Sequence, residues 1–347
     1  MPYPKPLSPK SLDRLYRESG VSPDNIAFIR TLCIAATNLY GVIHAIDLWH
    51  VYKELSEKTE VPVFRRKEMY QILHILRREE VPFVVLEFDE VYSEEPREDK
   101  HMILVSKEVV LTGYYRYQLI YELERSSYSK PFYVPEDLLE YAEPREDLRE
   151  TKLIRWFSNL KCTEKEYEDK FSKKIFPCQY TGKRLGEFSF ISRFDNYQLR
   201  YERGEIEGRK GNPKKAKELE EELYSQTAAE RLVKEYIRRS KIGNLHVESP
   251  LQDINMLTDD LNEMGVALTE TQYKKLISDL MNLHNHLHLW CNRGWTPEEL
   301  GRKEMAMAGG LPTITFGPGI RKAFEDGSMD KEELLKAMRE KGFKVEE

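Results

Sequence analysis

The feature that most narrows the fold is a change of hydrophobic period at Pro82. Before it, apolar residues recur every three or four positions; after it, they come in two short continuous runs. The stretch Ile26 to Tyr40 is apolar on nearly every side, which marks a central, buried helix. Ser22-Pro23 supplies an N-cap with proline in the first turn, and Gly41 stands where a helix stops. Leu48, Val51, Tyr52 and Leu55 form the inner stripe of a second helix, and Met69, Ile72, Leu73 and Leu76 that of a third. The spacing predicts helices near 24–40, 45–56 and 65–79. The runs 82–88 and 102–106 then read as a pair of strands. Three helices followed by a strand pair is the order of a winged helix, a helix-turn-helix variant.

The remaining chain divides by composition. KPFYVPEDLLEYAEPRED, residues 130–147, reads as an extended, proline-flanked lead-in to a short helix, with a further helix over 147–160. Residues 171–201 mix aromatic and polar positions with the turn signals Thr181-Gly182 and Asp195-Asn196, and predict a small hairpin or meander. Residues 204–213 read as a linker. Helix signals then dominate: a charged segment over 213–242 broken near 225–227, a helix opened by Ser249-Pro250, a capping box at Thr269 and Gln272 for a helix reaching about Leu289, another box at Thr296 to Glu299, and an amphipathic stretch over 328–341. The expected fold class is mainly α with α+β elements. A winged-helix-like domain (1–130) leads through a helical linker (131–170) and a basic, aromatic-rich β insert (171–212) to a helical domain (213–347).

Charge is distributed unevenly along the 347 residues, whose formal net charge is -6. Residues 1–130 hold 18 Lys and Arg against 20 Asp and Glu, whereas residues 170–217 hold 13 against 5, a net of +8. Such asymmetry points to an anionic partner for the central segment. No run approaches the roughly 20 apolar residues of a membrane span, so no membrane partner is expected. MPYPKPLSPK has no apolar core and does not read as a signal peptide. The four cysteines lack paired metal-type spacing and suit free thiols in a reducing cytoplasm.

HNHLHLWCNRGWTPEEL, residues 284–300, resembles a helix-end motif of uncharacterised bacterial cytoplasmic proteins, many of which also carry a SEC-C zinc motif. The matching positions are Asn285, Trp290, Asn292, Gly294, Thr296, Pro297, Glu299 and Leu300. Residues 39–55 and 130–142 resemble other segments of such proteins. His286, Leu287 and His288 replace the usual polar Asn, Thr and Arg, and the SEC-C cysteines are missing. The resemblance therefore implies architecture, carries no zinc site, and leaves the basic segment as an insertion.

Candidate binding residues follow from face and charge. Lys67, Gln71, His74 and Arg78 share one side of the third helix, where they could reach phosphates and base edges. The loop after the first strand opposes this, with seven acidic and two basic side chains between Glu87 and Lys100. In the basic segment, Lys183, Arg184, Arg193, Arg200, Arg203, Arg209 and Lys210 interleave with aromatics including Tyr197 and Tyr201, the composition of a surface that neutralises phosphate and stacks on bases. His284, His288 and Cys291 would share a face if their helix ran far enough. The expectation is nevertheless no metal, no cofactor and no catalytic residue. The corner around Trp290, Gly294 and Trp295 reads as structural. The expected function is non-enzymatic association with DNA or RNA, in a regulatory or mobile-element protein. The alternative is an adaptor or inhibitor that uses the same surfaces on an acidic protein partner.

Overall fold

The computed structural model describes residues 3–92, 98–110, 116–145, 147–163, 166–168, 175–177, 180–191, 193–205, 211–242, 250–307, 313–314 and 344–345. They form two compact units, residues 1–295 and 296–347. The fold is mainly helical, with one three-stranded antiparallel sheet.

The first unit opens with α1 (Pro9–Ser19), capped by Ser8 and closed by Gly20 in the left-handed conformation. The central helix α2 (Pro23–Tyr40) follows its N-cap Ser22 and buries Ile29, Leu32, Cys33, Ala36 and Leu39. A short strand β1 (Val42–His44) leads into α3 (Ala45–Lys58), then α4 (Arg66–Leu76), β2 (Phe83–Leu86) and β3 (Ile103–Ser106). The three expected helices and the strand pair are all present. Sequence period did not reveal α1 or β1.

β3 lies in the middle of the sheet, antiparallel to both neighbours, with Val105 opposite Val42 and Val84. Both faces are covered. Ile43, Phe83, Val85 and Leu104 pack with α2, α3 and α4. Val42, Leu86, Ile103 and Val105 point the other way, toward Leu119, Ile120 and Leu123 and toward Trp290. Coverage on two sides explains why β3 is a continuous apolar run rather than an alternating one. Between β2 and β3 lies α5 (Phe88–Tyr92); after β3 come α6 (Lys107–Val110) and α7 (Arg116–Ser127), which carries those three apolar residues.

A separate core forms from α8 (Leu148–Ser158), α11 (Ala228–Ile242), α12 (Pro250–Glu263) and α13 (Glu270–His286). Tyr236, Phe157, Leu261 and Leu280 are fully enclosed in it. Between α8 and α11 lie a hairpin of β4 (Glu166–Glu168) and β5 (Ile175–Pro177), then α9 (Arg193–Arg203) and α10 (Pro213–Ser225). The break near 225–227 and the Thr269 capping box are as the sequence indicates.

The insert departs from its β-rich reading. Within 171–212, the described strand is Ile175–Pro177, and Asp195-Asn196 sits inside α9 rather than in a turn. Aromatics at 194, 197 and 201 have helical spacing, and Leu199 provides the buried contact. The stretch 328–341 lies outside the described residues.

In the second unit, Thr296 and Glu299 form the capping box of α14 (Pro297–Met307). Two short strands there, β6 (Thr313–Ile314) and β7 (Lys344–Val345), pair in parallel.

Candidate protein and nucleic-acid interface

The apolar stripe of α4 turns Met69, Ile72, Leu73 and Leu76 into the core, which leaves Lys67, Gln71 and His74 exposed on the opposite side. Arg78 is exposed too, but it follows the helix end at Leu76. Glu87, Glu90 and Asp99, between β2 and β3, fold back onto this surface. His74 Nε2 lies 3.0 Å from Asp99 Oδ1, and its Nδ1 4.0 Å from Glu87. Arg77 makes a two-pronged contact with Glu90 at 2.8 and 2.9 Å. Burial works against the charge on Glu90, but hydrogen bonds from Arg77 and from the Glu87 amide outweigh it and hold the carboxyl below its usual range. Among the described residues, Lys67 and Gln71 make no such pair.

The basic segment is similarly occupied. Arg203 contacts Glu220 at 3.0 Å and Glu205 at 3.9 Å, and Arg200 contacts Glu205 at 3.7 Å. Asp195 holds Arg231 of α11, which fixes α9 against the core of α8, α11, α12 and α13. Tyr180 stacks on Phe188 with ring centroids 4.1 Å apart, and both pack against that core. Lys183 and Arg184 are exposed beside this stack. Tyr201 is half-buried. Arg193 and Tyr197 belong to α9; Arg209 and Lys210 lie outside the described residues.

The possible metal stripe is taken apart by the backbone. α13 ends at His286, and Leu287 is extended, so His288 and Cys291 leave the helical face that carries His284. His288 Nδ1 is 2.6 Å from the Gly294 carbonyl, and Nε2 is 2.9 Å from the Tyr141 hydroxyl. A carbonyl only accepts, so Nδ1 carries the proton and Nε2 accepts from Tyr141. That hydroxyl is pushed up to about 12 by burial and by the neighbouring Tyr133. His284 Nδ1 is buried without a partner among the described residues, and burial lowers the pKa of the ring. No group of three His, Cys, Asp or Glu among the described residues is placed to hold a metal ion.

The same stretch forms a corner that joins three distant segments. Trp290 Nε1 donates to the Asn38 carbonyl at 3.0 Å, and Trp295 Nε1 donates to the Pro131 carbonyl at 2.9 Å. Lys130 Nζ reaches the Cys291 carbonyl at 3.0 Å and Asn292 Oδ1 at 2.7 Å. Tyr133 donates its amide to Arg293 and stacks its ring on His288. Sequence reasoning found the corner but missed Lys130, Tyr133 and Tyr141 as its partners. The available signal was that 130–142 and 284–300 both stand out in the chain.

No family model matches the chain, and neither a curated protein nor a solved structure does. Among the described residues, no helix is long and apolar enough to cross a membrane.

Proposed function

We propose that residues 23–106 form a winged helix that contacts protein, and that the chain acts as a non-enzymatic adaptor or inhibitor. The order α2-β1-α3-α4-β2-β3, with β3 between β1 and β2, supports the winged-helix reading. The observation that carries the protein reading is the occupation of His74 and Arg77 by Asp99, Glu87 and Glu90. A wing that presents carboxylates repels phosphate and leaves a mixed-charge face suited to protein. We further propose kinship with the SEC-C-related bacterial proteins, on the strength of the Trp290–Leu300 motif alone.

A second reading, nucleic-acid binding, is favoured by exposed Lys67 and Gln71 on α4 and exposed Lys183 and Arg184 in the insert. Band-shift titrations at two salt concentrations separate the two. The protein reading expects no shift with DNA or RNA at low salt, and a partner retained by the unaltered chain but lost by Lys67→Glu with Gln71→Ala. A shift whose log affinity falls linearly with log salt, by about 0.7 per phosphate contacted on single strands, would sink the protein reading.

A further inference from the structure

We propose that residues 3–20 are a displaceable cover over the outer edge of β2 and the end of α4, and that an extended peptide of a protein partner replaces them. β2 is an edge strand, so the side turned away from β3 has no strand to bond. Its Val85 amide donates instead to the Tyr3 hydroxyl at 3.1 Å, while Arg77 donates to the Val85 carbonyl. The Arg77 guanidinium also lies over the Tyr3 ring, 5.1 Å from its centroid. The Leu7 amide donates to the Arg78 carbonyl at 2.8 Å. Side chains thus hold an edge that a backbone strand would satisfy better.

The attachment is shallow. α1 has no buried residue, and only half-buried Leu12, Leu15 and Tyr16 touch the core. Its polar anchor is a cluster in which Tyr16 donates to Glu79 and Arg30 binds both Glu79 oxygens at 2.8 Å. Arg30 Nε is left buried and unpartnered among the described residues. The hinge is Gly20, with φ of +68 and nothing within 4 Å of where a Cβ would stand. Rotation there would free the Val85 amide and release Tyr16 from Arg30, while the N-cap of α2, Ser22, lies beyond the hinge. Tyr3 shows the chemistry that the site accepts, an oxygen that takes the Val85 amide and an aromatic ring over the Arg77 guanidinium, and an extended peptide could supply both with its own backbone carbonyl and an aromatic side chain. The identity of the occupant rests on the protein reading above; the opening of the cover does not.

Hydrogen exchange on the full chain tests the opening. Amides of Leu12–Ser19 and of Val85 should exchange together, about 100-fold faster or more than those of Leu32–Leu39, through one sub-global opening. If they exchange only with the α2 amides, the cover does not open by itself and the proposal is overturned. Occupancy is tested with a labelled synthetic peptide of residues 3–20 as the probe. The full chain carrying Tyr3→Ala and Tyr16→Phe should bind it about 10-fold more tightly than the unaltered chain, because its edge is open more of the time. Equal affinity for both chains would overturn replacement of the cover. Neither result depends on the band-shift outcome, so failure of the cover and failure of the protein reading are distinguishable.

Discussion

At the corner, two glycines are required for different neighbours. A Cβ on Gly41 would lie 2.5 Å from the Trp290 ring, and one on Gly294 would lie 2.9 Å from Leu39 and Tyr40. Both residues have positive φ, +72 and +84. Gly41→Ala or Gly294→Ala should each cost about 1–3 kcal/mol and lower the thermal midpoint, by backbone strain and overpacking together. Gly20→Ala carries similar strain with open space around it, and should cost only about 1 kcal/mol. His284 gives a pH prediction. Its folded pKa is below the ordinary 6.5, so the unfolded chain binds the proton more readily. Its contribution is present above pH 6.5 and is lost as pH falls from there toward the folded value. Denaturant midpoints measured across that range should fall with pH, and His284→Gln should flatten the fall. The glycine and capping signals of the corner were legible because they are local. The Asn38 and Pro131 carbonyls that receive its indoles were not, since a backbone carbonyl has no sequence signature.

Among the elements, legibility followed length and period. α2, α3 and α4 each repeat their apolar stripe over several turns, and their boundaries in the structure fall within a few residues of expectation. β1 has three residues, too few to show a period, yet it completes the sheet. α9 was misread because its aromatics stand among polar residues, and the Asp-Asn pair that favours turns also tolerates a first helical turn. α1 carried a legible signal, Ser8-Pro9 before it and Gly20 after it, the same pattern that located α2. Caps give the element-scale prediction. The Thr269 hydroxyl accepts from the Gln272 amide, and the Thr269 amide donates in turn to Gln272 Oε1. Thr269→Ala should cost about 1 kcal/mol of global stability in a denaturant titration. Ser8→Ala removes a comparable bond from peripheral α1, and should speed exchange of α1 amides while leaving the global midpoint almost unmoved.

Across the whole molecule, the segmental charge imbalance legible in the sequence is partly answered from within: α9 arginines meet α10 and linker glutamates, and α4 meets the acids between β2 and β3. Sequence shows which segments carry charge, but not which segments meet, because pairing depends on long-range packing. The Trp290 ring illustrates how long that range is. It lies against a sheet built from residues 42–106, and its indole bonds a carbonyl 252 positions away. At about 5–20 residues per second, a ribosome takes roughly 10–50 s to make the residues between them. For the greater part of that interval the helices α2 to α4 and the strands of the sheet have been made, while the far face of the sheet still lacks its indole. The nascent chain therefore presents Val42, Leu86 and Ile103 with that covering incomplete, and this face stays open to wrong contacts until the segment that carries Trp290 is made.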